Sequence, residues 1–167
     1  YNTRNAKFDR ILQAGETGFF TYRKGTNSVL SGARDEYFAY YNRFDLSEEW
    51  LLKNPRWEWN GRKVVFKQGL LLGDIQFLFY ESYHPQTDEK YLLVRTLDTL
   101  ANLSEPKLIE TFDSRRRFEG DFAIRASHDG SKFAVFTAPP DQRGGSENFY
   151  VRVYSKNLEE LWNADIE

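Results

Sequence analysis

The chain has no cysteine and no methionine, and only two histidines among its 167 residues. Without cysteine there is no disulfide framework, no thiolate nucleophile and no cysteine-ligated zinc, while the redox compartment stays open. An excess of charge of either sign is also missing. The 23 Lys and Arg nearly balance the 25 Asp and Glu, for a formal charge of −2, which argues against a nucleic-acid binder working through bulk electrostatics. No apolar run approaches the roughly 18 residues of a membrane-crossing helix. The first residues, from Tyr1 to Lys7, lack the basic end, apolar stretch and small-residue cleavage site of a secretory signal. With no methionine and a start at Tyr1, the expectation is a processed or excised piece of a longer chain. Phosphate-cradle and nucleophile-elbow patterns (G-x-x-x-x-G-K-[ST], G-x-G-x-x-G, G-x-S-x-G) do not occur.

Aromatic residues are abundant. Fourteen Phe, ten Tyr and four Trp raise the aromatic share to 17% and the hydrophobic share to 40%, enough bulky surface to offset the entropy of ordering one domain. Three segments align without gaps: Phe8 to Tyr22 (FDRILQAGETGFFTY), Phe66 to Tyr80 (FKQGLLLGDIQFLFY) and Phe122 to Phe136 (FAIRASHDGSKFAVF), at offsets of 58 and 56 residues. Each reads as a β-hairpin, an apolar run, then a Gly or Asp turn (Gly15-Glu16, Gly73-Asp74, Asp129-Gly130), then an aromatic strand. The alignment predicts equal strand and turn lengths, with Phe19, Phe77 and Phe133 equivalent.

A second block follows each hairpin. Tyr37 to Trp50 aligns with Phe149 to Trp162, matching Asp45-Leu46 to Asn157-Leu158 and Trp50 to Trp162, while the middle unit keeps Tyr91 and Leu100 before a last strand from about Lys107 to Phe112. Leu46, Leu100 and Leu158 are therefore expected in equivalent apolar positions. Polar loops separate the second and third strands of each unit. No helical period competes, although Leu46 to Lys53 (LSEEWLLK) leaves room for a helical turn or two.

Four short antiparallel strands repeating at a little over 50 residues resemble WD40-like β-propeller repeats. The third unit, with Ser127-His128-Asp129-Gly130-Ser131-Lys132 before Phe133 and Asn157-Leu158 before Trp162, looks like repeats of uncharacterised bacterial propeller proteins. The Gly-His and Trp-Asp pairs of WD40 blades are absent. The resemblance implies an all-β fold of β-propeller blades: three four-stranded antiparallel units forming a partial propeller over residues 1–167, with blades at approximately 8–53, 62–112 and 118–167. Propellers close with four to eight blades. Three therefore imply further blades in the same parent chain, or a second copy closing a six-bladed ring. The resemblance points to an exported or cell-envelope bacterial location ahead of the cytoplasm.

The candidate chemistry is thin. Ser127-His128-Asp129 holds the three triad residue types, but neighbouring residues on a strand or turn point apart and form no relay. His84, Asp88 and Glu89 could surround a divalent cation, yet one histidine beside acids on an exposed loop is ordinarily solvated. Acid pairs such as Glu48-Glu49 and Glu159-Glu160 recur before a Trp and read as structural rather than as glycosidase acid and base. The expectation is no catalytic residue, no metal ligand and no cofactor. Two connections stand out. Pro55-Arg56-Trp57-Glu58-Trp59-Asn60 lies between units one and two, and Ser114-Arg115-Arg116-Arg117-Phe118 between units two and three. Arg115, Arg116 and Arg117 supply planar donors for carboxylates or phosphates. Trp57 and Trp59, two apart on a strand-like segment, would present indoles on one side. The competing reading pairs the Arg run with Asp113, Glu119 and Asp121 and uses the tryptophans to seal unit junctions. The function expected is a non-enzymatic interaction or scaffold module. It would bind a protein, peptide or glycan partner, and neither nucleic acid nor membrane, through the face bearing Trp57, Trp59 and the Arg run. The alternative is an accessory propeller of a bacterial hydrolase whose catalytic residues lie outside these residues.

Overall fold

The computed structural model describes residues 6–25, 35–114, 120–140 and 148–166. Among them the structure is all β, with no helix. Three four-stranded antiparallel meanders follow one another. Sheet one comprises β1 (Ala6–Ala14), β2 (Gly18–Gly25), β3 (Glu36–Asn42) and β4 (Glu48–Lys53). A two-stranded ribbon follows, β5 (Glu58–Trp59) and β6 (Arg62–Lys63). Sheet two comprises β7 (Val65–Leu72), β8 (Ile75–His84), β9 (Glu89–Leu97) and β10 (Lys107–Asp113). Sheet three comprises β11 (Asp121–Ala126), β12 (Lys132–Ala138), β13 (Phe149–Ser155) and β14 (Glu160–Ile166). The LSEEWLLK stretch is a turn followed by β4, in which Trp50, Leu51 and Leu52 are half-buried between exposed charged residues. The ribbon turns on Asn60-Gly61, both at positive φ (49° and 71°). That is the two-residue hairpin turn this dipeptide favours, and the sequence reading above passed over it.

Two cores hold the sheets together, and strand alternation divides residues between them. Phe20, Tyr22, Phe38 and Tyr40 of sheet one pack with Leu71, Leu78, Tyr80 and Leu93 of sheet two. From the other face of sheet two, Leu70, Leu72, Phe77, Phe79, Leu92 and Val94 pack with Phe122, Ile124, Phe133, Val135 and Tyr154 of sheet three. Sheet two is thus apolar on both faces, which is why β8 and β9 read as near-continuous hydrophobic runs. The first strands adjoin one another, β1 beside β7 and β7 beside β11. The Arg10 guanidinium donates to Lys67 O (3.2 Å), and Gln68 Nε2 donates to Ile124 O (3.1 Å). The approach of β1 to β7 is close. A Cβ at Gly69 would lie 2.9 Å from Leu12 Cδ1 and 2.8 Å from Gln76 Nε2, so only glycine fits there without movement.

Phe19, Phe77 and Phe133 do lie in second strands, but the gapless alignment fails in the turns. Gly15 N–H bonds Gly18 O around a two-residue loop, β7 and β8 are also joined by two residues, and Ser127 N–H bonds Lys132 O around a four-residue loop. The true register of the second strands is set by Gly18, Ile75 and Lys132, each 57 residues from the last. Phe20, Phe77 and Ala134 are therefore equivalent, as are Tyr22, Phe79 and Phe136. A one-residue shift exchanges the faces of a strand, and only the 57-residue spacing sends equivalent residues the same way.

The turns between third and fourth strands need a similar correction. Leu46 and Leu158 both adopt left-handed backbone (φ 60° and 62°), but the middle turn places Ala101 there (φ 65°), not Leu100. Burial differs too. Leu46 and Leu100 are 66% and 79% exposed, whereas Leu158 packs against the second core. Each turn is closed by backbone bonds that dictate the left-handed residue, so geometry repeats while the side chain's surroundings do not.

Leu46 therefore bears a left-handed cost of about 1–2 kcal/mol with no packing in return, while glycine's extra backbone entropy costs about 0.5–1 kcal/mol. Urea unfolding should show Leu46→Gly stabilised by up to about 1 kcal/mol, and Phe79→Ala in the doubly covered sheet destabilised by about 3–5 kcal/mol. An unstable Leu46→Gly variant would contradict this account of the turn.

Candidate functional site

The described exits from the fourth strands of sheets one and two are tied by hydrogen bonds to the ends of the segments that join their second and third strands. Asn54, just after β4, donates its N–H to Glu36 O at 2.8 Å and its side-chain amide to the Glu36 carboxylate. Ser114, just after β10, donates its N–H to Asp88 O in the same manner. Both are buried, so the chain leaves each of these sheets pinned to the neighbouring loop. The Tyr80 hydroxyl, whose pKa burial pushes well up, donates to Asn54 Oδ1 at 3.0 Å.

Trp57 and Trp59 stand on one side of the ribbon segment, turned towards the core between sheets one and two, where both are half-buried. The Trp57 indole meets Tyr80 edge-on at 5.3 Å, and the Arg95 guanidinium lies 5.8 Å from its centroid while Arg95 Nε donates to Ser104 O. Trp57 Nε1 is buried with no hydrogen-bond partner among the described residues. These contacts make the tryptophans part of the seal between ribbon and sheets, with only their outer edges left to a ligand. Arg115, Arg116 and Arg117 lie outside the described residues.

Beside the connection that carries the Arg run is a charge cluster that sequence reading did not find. Lys67 of β7 contacts Glu81 of β8 and Asp121 of β11, each at 2.6 Å; Lys90 of β9 lies 4.0 Å and 3.9 Å from the same two acids and donates to Gly120 O at 3.0 Å. No spacing could have revealed it, because its members come from four strands. Burial disfavours the Lys67 ammonium, but hydrogen bonds to Asp121 and Glu81 more than offset this and raise its pKa. Burial likewise works against the Asp121 carboxylate, yet Lys67 holds its pKa below the usual 3.8. Asp121, proposed from sequence as a partner of the Arg run, is engaged here by two lysines. The cluster fixes the start of β11, and with it the point where the Arg-bearing connection rejoins the fold.

The remaining candidates have local roles. Ser127 Oγ donates to Asp129 and accepts from Lys132 N–H; together with Ser131 it draws the Asp129 pKa down to about 2, so these residues brace a turn. Thr87 bonds His84 Nδ1, Tyr83 bonds Asp88 and Tyr91 bonds Glu89, which engages the three groups separately. Glu48 takes Arg23 and Tyr41, a structural use of that acid pair.

The linkage signs define a pH window. The Asp121 contribution is complete above its ordinary pKa of 3.8 and disappears as pH falls through its lowered value; the Lys67 contribution is complete below 10.5 and disappears as pH rises through its raised value. Thermal unfolding should therefore show Asp121→Asn less stable than the parent at neutral pH, with the gap closing in acid. Because the Asp121 side chain is 68% exposed, salt should shrink the gap as well. A gap that persists once the pH is well below that lowered value would assign the loss to something other than charge.

No family model matches the chain, and neither a curated protein nor a solved structure matches it.

Proposed function

We propose that the chain is a β-propeller-type repeat module, in the manner of WD40-like repeats, that binds a protein, peptide or glycan partner at its loop end and performs no catalysis of its own. The propeller reading is supported by the sense of the packing. At a constant 57-residue spacing β2 and β8 turn equivalent residues towards the following sheet, and the first strands adjoin in order, as rotation about an axis requires. The binding reading rests on one observation: both described exits from a fourth strand are pinned to the loop end, through Asn54 and Ser114. The segment after Asn54 carries Trp57 and Trp59, and the segment after Ser114 carries Arg115–Arg117, so both candidate groups follow an anchored exit. Loops carried on a rigid scaffold are where recognition concentrates.

An acidic or sulfated ligand suits the guanidinium donors of the Arg run. The test titrates the chain with a hexaglutamate peptide and with a sulfated hexasaccharide, following tryptophan fluorescence at about 20 and about 200 mM salt. At least one probe should bind, with affinity falling about tenfold or more in the Arg115→Ala/Arg116→Ala/Arg117→Ala variant and at the higher salt, while the unfolding temperature stays unchanged. If the triple variant binds equally well, or unfolds at a markedly lower temperature, the run is a structural clamp and this reading of the loop end fails.

A further inference from the structure

Strand pairing defines the two faces of sheet three. Ala134 stands opposite Val153, which stands opposite Trp162; the next row runs Phe136, Val151, Ala164. Directly opposed residues share a face, and the alternate residues Phe133 and Val135 are the ones buried against sheet two. The two rows therefore form the face turned away from sheet two. It is apolar and open, with Phe136 41% and Trp162 55% exposed.

The same rows are filled elsewhere in the chain. In sheet one they are Phe20–Tyr40–Trp50 and Tyr22–Phe38, packed against sheet two, with Trp50 Nε1 donating across to Thr99 O at 2.8 Å. In sheet two they include Phe77 and Phe79–Val94, and they receive Phe133 at 5.6 Å from Phe77 and 5.4 Å from Phe79. Trp162 is the counterpart of Trp50. Sheets one and two thus each offer a socket to the following sheet, and among the described residues the socket of sheet three has no occupant.

The plug that fits such a socket is also visible. Phe133 enters sheet two stacked on Tyr154, at 5.3 Å and 21°. The equivalent residues of sheet one, Phe19 and Tyr41, stand opposite one another on β2 and β3 and stack at 5.2 Å and 14°. They lie on the face turned away from sheet two, half-buried, beside Ile11, which is 53% exposed.

We propose that the open face of sheet three receives the Phe19–Tyr41 face of a second copy of this chain. The second copy is the occupant because one chain carries both the open socket and a stacked pair like the one that enters sheet two, each matched to a contact the chain already makes within itself. Such an interface is head to tail, and two copies related by a two-fold axis close a ring of six sheets, inside the four-to-eight range of propellers. The closed ring rests on the propeller-type reading proposed above and is independent of what the loop end binds.

Sedimentation velocity on the full 167-residue chain, from about 1 to about 100 µM, reads the interface directly. The expected species has twice the 19.7 kDa of one chain. Trp162→Lys, in the socket, and Ile11→Lys, beside the plug, should each raise the dimer Kd by about 100-fold or more, with circular dichroism showing an unchanged fold, since both positions are more than half exposed. Phe19→Lys provides a second plug variant. A monomer throughout the range overturns the proposal. So does a dimer weakened by Trp162→Lys but indifferent to both plug variants, which would mean socket meeting socket, and so does growth beyond two chains with concentration, which would mean a contact that does not close.

Discussion

The rest of the structure depends on sheet two being covered on both faces. Along β8 the side chains of Phe77 and Phe79 enter one core while Leu78 and Tyr80 enter the other, and along β9 Leu92 and Val94 part from Leu93 in the same way. Insertion of a single residue into either strand would exchange the two cores. The outer sheets have no such double cover. Sheet three keeps one apolar face open, while on the far side of sheet one Arg23 pairs with Glu48 and lies over the Tyr41 ring. Stability therefore concentrates at the centre of the array, and the flanks are where apolar surface is still unspent.

The two kinds of surface differ in chemistry for a physical reason. Between sheets, burial is satisfied by residues that alternate with the pleat, as Phe133, stacked on Tyr154, is against Phe77 and Phe79. At the loop end nothing need repeat. There the backbone leaves its ladders, and its polar groups require other partners, which Asn54, Ser114 and Lys90 supply. The Lys67–Glu81–Lys90–Asp121 cluster does the corresponding work for charge, holding β11 against β7, β8 and β9 with both signs matched. Residues at the loop end can therefore vary without disturbing how the sheets pack.

Sequence alone determined the strand class, the three-fold internal repeat, the hairpins and the Trp50–Trp162 match, because these follow from alternation, turn residues and aromatic density, which act between near neighbours. It did not determine which face each strand residue takes. That depends on loops of two, two and four residues, and the three turns look alike in composition although one is longer. Trp57 and Trp59 were legible as a pair on one side, but not as rings turned towards a core, since Tyr80 and Arg95 reach Trp57 from β8 and β9. The charge cluster was decided only by tertiary structure, because it joins Lys67, Glu81, Lys90 and Asp121, whose separations in the chain carry no periodic signal and whose proximity is set by the packing of whole sheets.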